Sequence, residues 1–378
     1  MSLRVLFVNA RPDALENPGG DTVQVRETRA ALEAVGVSIY EVGATKVRDL
    51  PDFDLAHVFN LQMTDSAAAI FAALKPLARP VVFSPIYWDL LPTWFDSALE
   101  TAPHWRFAAR ILGREPARRL YVSWQRRKEP KSALWQQRRA LLLEAAAVLP
   151  NSRAEAELLG STFALPGAFA DACDVVPNGV DRRLYEQEPA PSPWFAERYG
   201  IRDFVLQVGT ISPVKNQLAL IEALTDVPVP LVIIGHTPKA MTAYAAECRR
   251  RAEARGNVVF IDHLPSGELP GIYALAAVHA LPSWRETPGL VSLEAAACGC
   301  RIVTTSEGST KEYFGEGAWY CHPSNVASIR RAVTSALASP KSPAMRQRVL
   351  ERFTWSEAGR ATLAAYARVA PRPSARPA

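Results

Sequence analysis

Metal-binding and disulfide patterns are missing from this 378-residue chain. Its five cysteines, at 173, 248, 298, 300 and 321, are scattered and odd in number. None forms a C-x-x-C pair, and Cys298-Gly299-Cys300 is too tight for the usual zinc spacing. No histidine-rich cluster and no H-E-x-x-H helix occurs. This cysteine usage excludes a disulfide scaffold and reads as a reduced, cytosolic protein. No run approaches the eighteen apolar residues of a membrane span. The apolar stretch at the N-terminus is cut short by Asn9 and Arg11, so it reads as a first strand and not as a signal peptide.

What is present suits a two-domain enzyme. The length exceeds one typical domain, and 48% apolar residues support sizeable cores. Strands are expected at 4–9, 37–42, 55–59, 80–84 and 146–149, with a helix over about 22–35 after a Pro18-Gly19-Gly20 loop. VVPNGV, 175–180, reads as a strand running into a turn. EQEPAPSPWF, 186–195, is proline-rich and is the linker candidate. A second alternation follows: strands 203–209, 229–235, 257–261, 277–281 and 301–305, with helices 216–224, 238–255, 268–275 and 290–298 between them. Such alternation indicates two parallel α/β sheets. Ligands are then expected at the strand C-termini.

The chemistry concentrates in PSWRETPGLVSLEAAACGC, 282–300. Glu286 falls on the loop after a strand. Pro288 and Gly289 delay a helix to about Leu290, and LVSLEAAA is a strong helix former. Glu294 then lies about one turn into that helix. Both carboxylates can face one cleft beside a helix N-terminus whose N–H groups suit an anion. A sugar attached to a phosphate needs this combination, although two glutamates at this spacing also occur on solvated surfaces. VGTISPVKNQ, 208–217, delivers Lys215 at a strand-to-helix loop, where its charge serves a phosphate or is simply solvated. Gly19-Gly20 reads as a close-approach loop beneath a donor phosphate or acceptor, or as a plain turn. Gly235-His236 follows another strand, and His236 reads as a loop residue.

These residues resemble the retaining glycosyltransferases of family 4, which share the GT-B fold. Pro282, Ser283, Glu286, Gly289, Leu290, Leu293, Glu294, Ala295, Ala297 and Gly299 fall at the places of that family's P-S-x-x-E…E-A-x-A-x-G segment. Gly209, Thr210, Lys215 and Asn216 match its G-[RT]-x-x-x-x-K-[GN] loop, and VVPNGVD, 175–181, its domain-crossover turn. Phe353-Thr354-Trp355 resembles the segment before a last helix that crosses back onto the first domain. The chain has Pro288 where the family carries an aromatic residue, and Thr210 where many members carry arginine. After the strand at 80–84 it has Pro85, Ile86, Tyr87 and Trp88 in place of a histidine. Asp52-Phe53-Asp54 is formally a D-x-D, but it matches the family's lead-in to a strand and reads as structural.

The resemblance implies two Rossmann-like domains with parallel sheets facing an interdomain cleft. The acceptor domain would span 1–185, with helix 356–378 packing back on it, and the donor domain 186–355. It implies metal-independent, retaining transfer from a nucleotide sugar such as a UDP- or GDP-sugar, with no cofactor, to a hydroxyl of a glycan, glycolipid or other acceptor. Glu286 and Lys215 would be catalytic. Glu294, Thr210, Gly209, Asn216, Gly289, Leu290 and Gly235 would bind the donor, Gly19 and Gly20 would form the phosphate or acceptor loop, and Tyr87 or Trp88 would stack on the acceptor or belong to the core. The competing readings are a catalytically silent nucleotide-sugar-binding protein and a nucleotide-sugar epimerase or hydrolase of the same fold.

One stretch stands apart. Trp105–Arg139 carries eleven basic and two acidic residues, a balance of +9 against +5 for the whole chain. Trp105, Phe107, Tyr121, Trp124 and Trp135 are interleaved. Basic residues with aromatics suit an anionic membrane surface or lipid-linked acceptor, which would make the protein peripheral on the inner face of the cytoplasmic membrane. A solvated helical pair is the alternative, and nucleic acid is not expected.

Overall fold

The computed structural model describes residues 2–370 except 15, 17, 18, 48, 49 and 266, with the backbone alone at 96, 97 and 100. The chain forms two compact units. One comprises Met1–Trp88, Gln125–Gly179 and Thr354–Ala378, and the other Asp89–Trp124 and Val180–Phe353. The tail of the expected 356–378 helix beyond residue 370 lies outside the described residues.

The first unit holds β1 (Arg4–Asn9), β2 (Ser38–Gly43), β3 (Leu55–Phe59), β4 (Val81–Ser84) and β5 (Ala147–Val148). They pair in the order β2-β1-β3-β4-β5, all parallel. RVLFVN and LAHVF read as almost continuous apolar runs because both faces of a parallel sheet are covered. The last helix, Trp355–Val369, packs beside helix Gly20–Glu33. Its Tyr366 hydroxyl pairs with His57 Nδ1 at 2.6 Å, and His57 Nε2 pairs with Ser84 Oγ at 2.8 Å. Burial pushes His57 down to about 3, so the ring is neutral and satisfied at both nitrogens. The D-x-D pair is structural: Asp52 and Asp54 both bond Arg4, at 2.5 and 2.8 Å.

The second unit holds β6 (Phe204–Val208), β7 (Leu231–Ile234), β8 (Val258–Ile261), β9 (Ala276–Leu281), β10 (Arg301–Thr305) and β11 (Ala318–Cys321). The order is β11-β10-β9-β6-β7-β8, again all parallel. Alternate residues feed two separate cores. Phe204, Leu206, Val232 and Ile234 pack into one, and Val205, Leu231 and Ile233 into the other.

Several expectations need correction. Residues 175–179 form no strand; the chain runs beside β5, with Asp174 donating to the Val148 carbonyl and Val176 to that of Pro150. The proline-rich 186–195 stretch is not a free linker. Its Ser192 is buried, donates its amide to the Gly271 carbonyl and caps helix Pro193–Tyr199, while Phe195 is fully buried. The chain passes from one unit to the other at Trp88/Asp89, Trp124/Gln125, Gly179/Val180 and Phe353/Thr354 instead. Gly20 begins a helix and does not belong to the loop before it.

Residues 89–124, read from sequence as part of the first domain, group with the second unit. Helices Leu91–Thr101, Pro103–Leu112 and the start of Arg114–Lys128 close a small core of Phe95, Ala117 and Tyr121, against which Trp105 packs. The basic stretch therefore divides. Trp135 is buried in the first unit and donates Nε1–H to the Thr162 carbonyl at 2.8 Å, and Arg138 bonds Thr64.

Replacing Tyr366 with Phe should cost about 1–3 kcal/mol, because it strands a buried imidazole nitrogen. A denaturant titration monitored by circular dichroism checks this, and an unchanged midpoint refutes it.

Candidate functional site

The loops that follow β6 and β9 are knitted together, because strands adjacent in a parallel sheet deliver their C-terminal loops side by side. Trp284 donates its amide to the Val214 carbonyl at 2.9 Å. Asn216, in the left-handed region at φ 61°, gives its side-chain amide to the carbonyls of Pro282 at 3.0 Å and Pro323 at 2.8 Å. Between these ties Lys215 Nζ donates to Glu286 Oε1 at 2.6 Å, with Glu286 only 2% exposed and Lys215 19%. The Glu286 backbone is held from the other side, its amide on the Glu307 carbonyl and its carbonyl accepting from Ser309.

Helix Leu290–Ala297 starts beside this pair. Gly289 has φ 83°, and a Cβ there would lie 3.0 Å from Leu281 Cδ2 and 3.3 Å from Glu286 Oε2. Only glycine gives both that backbone and that space. The Ser292 and Leu293 amides bond the Gly289 carbonyl, so those of Leu290 and Val291 precede the helical ladder. Gly209 and Gly235 touch: a Cβ on Gly235 would lie 2.0 Å from the Gly209 carbonyl oxygen. The aliphatic stem of Lys215 runs over Gly209.

Glu294 is not in the ion pair. It is half-buried and accepts from the Tyr273 hydroxyl at 3.5 Å, near Tyr185 and Cys298. Burial pushes its carboxyl up to about 7, and the Tyr273 hydrogen bond works against that shift.

The other expected residues divide. The Thr210 carbonyl accepts from Gln217 Nε2 at 3.0 Å. Asn216 spends its side-chain N–H groups on the loops and acts as a clamp. In the first unit, Gly19 precedes the helix that begins at Gly20, and the Arg11 guanidinium lies against it, bonded to Asp21 at 3.0 Å and to Thr22 at 2.8 Å. Tyr87 is a core residue, stacked edge-on to Phe163 at 5.3 Å. Trp88 is half-buried, and its carbonyl accepts from Gln62.

Sequence reading missed His279. It lies in β9, fully buried, with Nδ1 3.4 Å from Ser292 Oγ and Nε2 without a partner among the described residues. Burial, with a contribution from Lys215, pushes it down to about 3, so it is neutral beside that cation. A histidine inside the otherwise apolar AAVHAL was the available signal. Tyr273, in a helix dense in apolar residues, gave none.

The two parallel sheets have the GT-B fold of glycosyltransferases, and the sequence resembles that class. Residues 195–351 match the family model of Glycosyl transferases group 1, and the resemblance to the family 4 type stands. Alpha-maltose-1-phosphate synthase of Mycolicibacterium smegmatis is 27% identical over 93% of this chain and 96% of its own length. Among solved structures, sucrose-phosphate synthase from Thermosynechococcus elongatus has a TM-score of 0.70 at 17% identity, over 97% of this chain and 98% of that one. Anabaena HepE in complex with UDP-glucose has a TM-score of 0.67 at 17% identity, over 97% and 100%.

The raised Glu294 carboxyl makes stability depend on pH. The folded state holds this proton more tightly than the unfolded chain does. The resulting stabilisation is complete below the ordinary value of 4.5 and is lost as the pH rises through about 7. Glu294→Gln cannot ionise. It should gain on the native protein by up to about 1.4 kcal/mol per pH unit across that window. Melting curves of both proteins at several pH values test this; parallel profiles refute it.

Proposed function

We propose that this protein transfers a glycosyl group from a nucleotide-sugar donor to a hydroxyl of a glycan or lipid-linked acceptor, with retention and without a divalent metal. The observation that carries the reading is the Lys215–Glu286 pair beside the start of helix Leu290–Ala297. HepE, solved with UDP-glucose, supports a nucleotide sugar as the donor class.

In this reading the second unit holds the donor and the first serves the acceptor. Lys215 neutralises charge building on the departing diphosphate, and the Leu290 and Val291 amides supplement it. Glu286 orients the ammonium and accepts from hydroxyls of the transferred sugar. Glu294 accepts from the ribose hydroxyls. The bond from the anomeric carbon to the diphosphate breaks, and the acceptor oxygen bonds the same face. The acceptor's proton leaves with the diphosphate oxygen, so no carboxylate nucleophile takes part, unlike the close carboxyl pair of retaining glycosidases. The Glu286 carboxylate stays engaged with Lys215.

Lys215→Ala should lower kcat by about 10²–10³-fold, with a smaller change in donor affinity. It should also destabilise the fold, since it leaves a buried carboxylate unpaired, and adding Glu286→Gln should restore much of that stability. Donor turnover across a panel of nucleotide sugars, with and without chelator, is the measurement. An equal loss in kcat and affinity would reduce Lys215 to a binding group. Nucleotide release without product would make the protein a hydrolase.

The proposal also includes binding to an anionic membrane on the cytoplasmic face, through a surface carried by the second unit. Phe107, Ile111 and Leu112 are exposed on one helix and Leu120 and Trp124 on the next, among the exposed Arg106, Arg110, Arg114 and Arg119. Among the described residues no helix is long and apolar enough to cross a membrane. Phe107→Asp with Ile111→Asp should abolish flotation with phosphatidylglycerol vesicles and leave turnover of a water-soluble acceptor intact. Undiminished flotation refutes this surface.

A further inference from the structure

We propose that Arg118, on helix Arg114–Lys128, is a positioning residue for the Lys215–Glu286 pair and acts on it through the Trp284 ring. The inference rests on the reading of that pair as the donor-activating groups. Arg118 is 4% exposed, a rare state for an arginine, and its burial is organised. Its guanidinium bonds Glu115 one turn earlier. Its carbon lies 4.4 Å from the centre of the Trp284 ring and 5.7 Å from that of Phe95. Glu115 is anchored in turn, accepting from Ser324 Oγ at 2.9 Å, and Ser324 pairs with His322 Nδ1 at 2.8 Å.

The stacked ring belongs to the loop that carries Glu286. Trp284 stands two residues before Glu286, and its amide is bonded to the carbonyl of Val214, the residue before Lys215. Pro282, two residues before Trp284, and Pro323, next to Ser324, share the Asn216 side-chain amide. Arg118 and Glu115 therefore grip both segments that Asn216 joins. A planar guanidinium over an indole fixes both the place and the tilt of the ring, which a lysine ammonium would not do. Tilting Trp284 moves the backbone that sets the 2.6 Å contact between Lys215 and Glu286.

The test uses the full chain and two readouts. Arg118→Met should lower kcat by about 10- to 100-fold while donor KM changes by less than about threefold. Amide exchange at Trp284 should accelerate by about tenfold in the same protein, with β6 and β9 still protected. Arg118→Lys should fall between the two proteins in both readouts. The double variant Arg118→Met/Trp284→Leu should be no worse than the poorer single one, because both remove the same contact. Unchanged kcat and unchanged Trp284 exchange in a folded Arg118→Met protein overturn the proposal. If that variant does not fold, native behaviour of Arg118→Lys in both readouts overturns it equally. Lys215→Ala run alongside separates the two ideas. If it turns over normally, the assignment of the pair fails, whereas its impairment beside native Arg118 variants means that only the positioning role fails.

Discussion

A carboxylate 2% exposed persists as a charge only if a cation is held against it, and the Lys215–Glu286 contact meets that condition. The two side chains come from different βα loops, so the pair exists only because β6 and β9 are neighbours in the sheet. Around it, Asn216 and the Trp284 amide fasten one loop to the other. Gly289 leaves room for the carboxylate, and the lysine stem runs over Gly209. A displaced ammonium would leave the charge stranded, so fold stability and site geometry share one constraint.

Local chemistry was legible in the sequence wherever spacing alone determines it. The strand, turn and helix around Glu286, the glycine at 289 and the helix start at Leu290 all follow from propensity and turn chemistry. Lys215 was legible as a loop cation, but its bond to Glu286 was not, because no periodicity reports which loops become neighbours. Asn216 was legible as a site residue, but its role in clamping two loops was not. Its αL backbone and two carbonyl partners are properties of the assembled loops. Tyr87 was open between stacking platform and core, and the packing against Phe163 decides for the core.

Composition misled where it stood in for topology. Proline content marked 186–195 as a linker, yet proline reports turn geometry and not a lack of contacts, and Ser192 and Phe195 are buried there. The charge excess over Trp105–Arg139 likewise joined residues with different roles. Arg118 is enclosed between rings, Arg138 bonds Thr64, and Arg106 and Arg110 are exposed. Summed charge cannot separate these, because burial belongs to the fold and not to the composition.

The excursion 89–124 has a practical corollary for dissecting the molecule. Its residues come early in the chain but pack with Val180–Phe353. A fragment cut at Val180 would therefore be an incomplete body, with the indole of Trp284 uncovered and Ser324 deprived of Glu115. An autonomous version of the second unit would need residues 89–124 grafted back onto it.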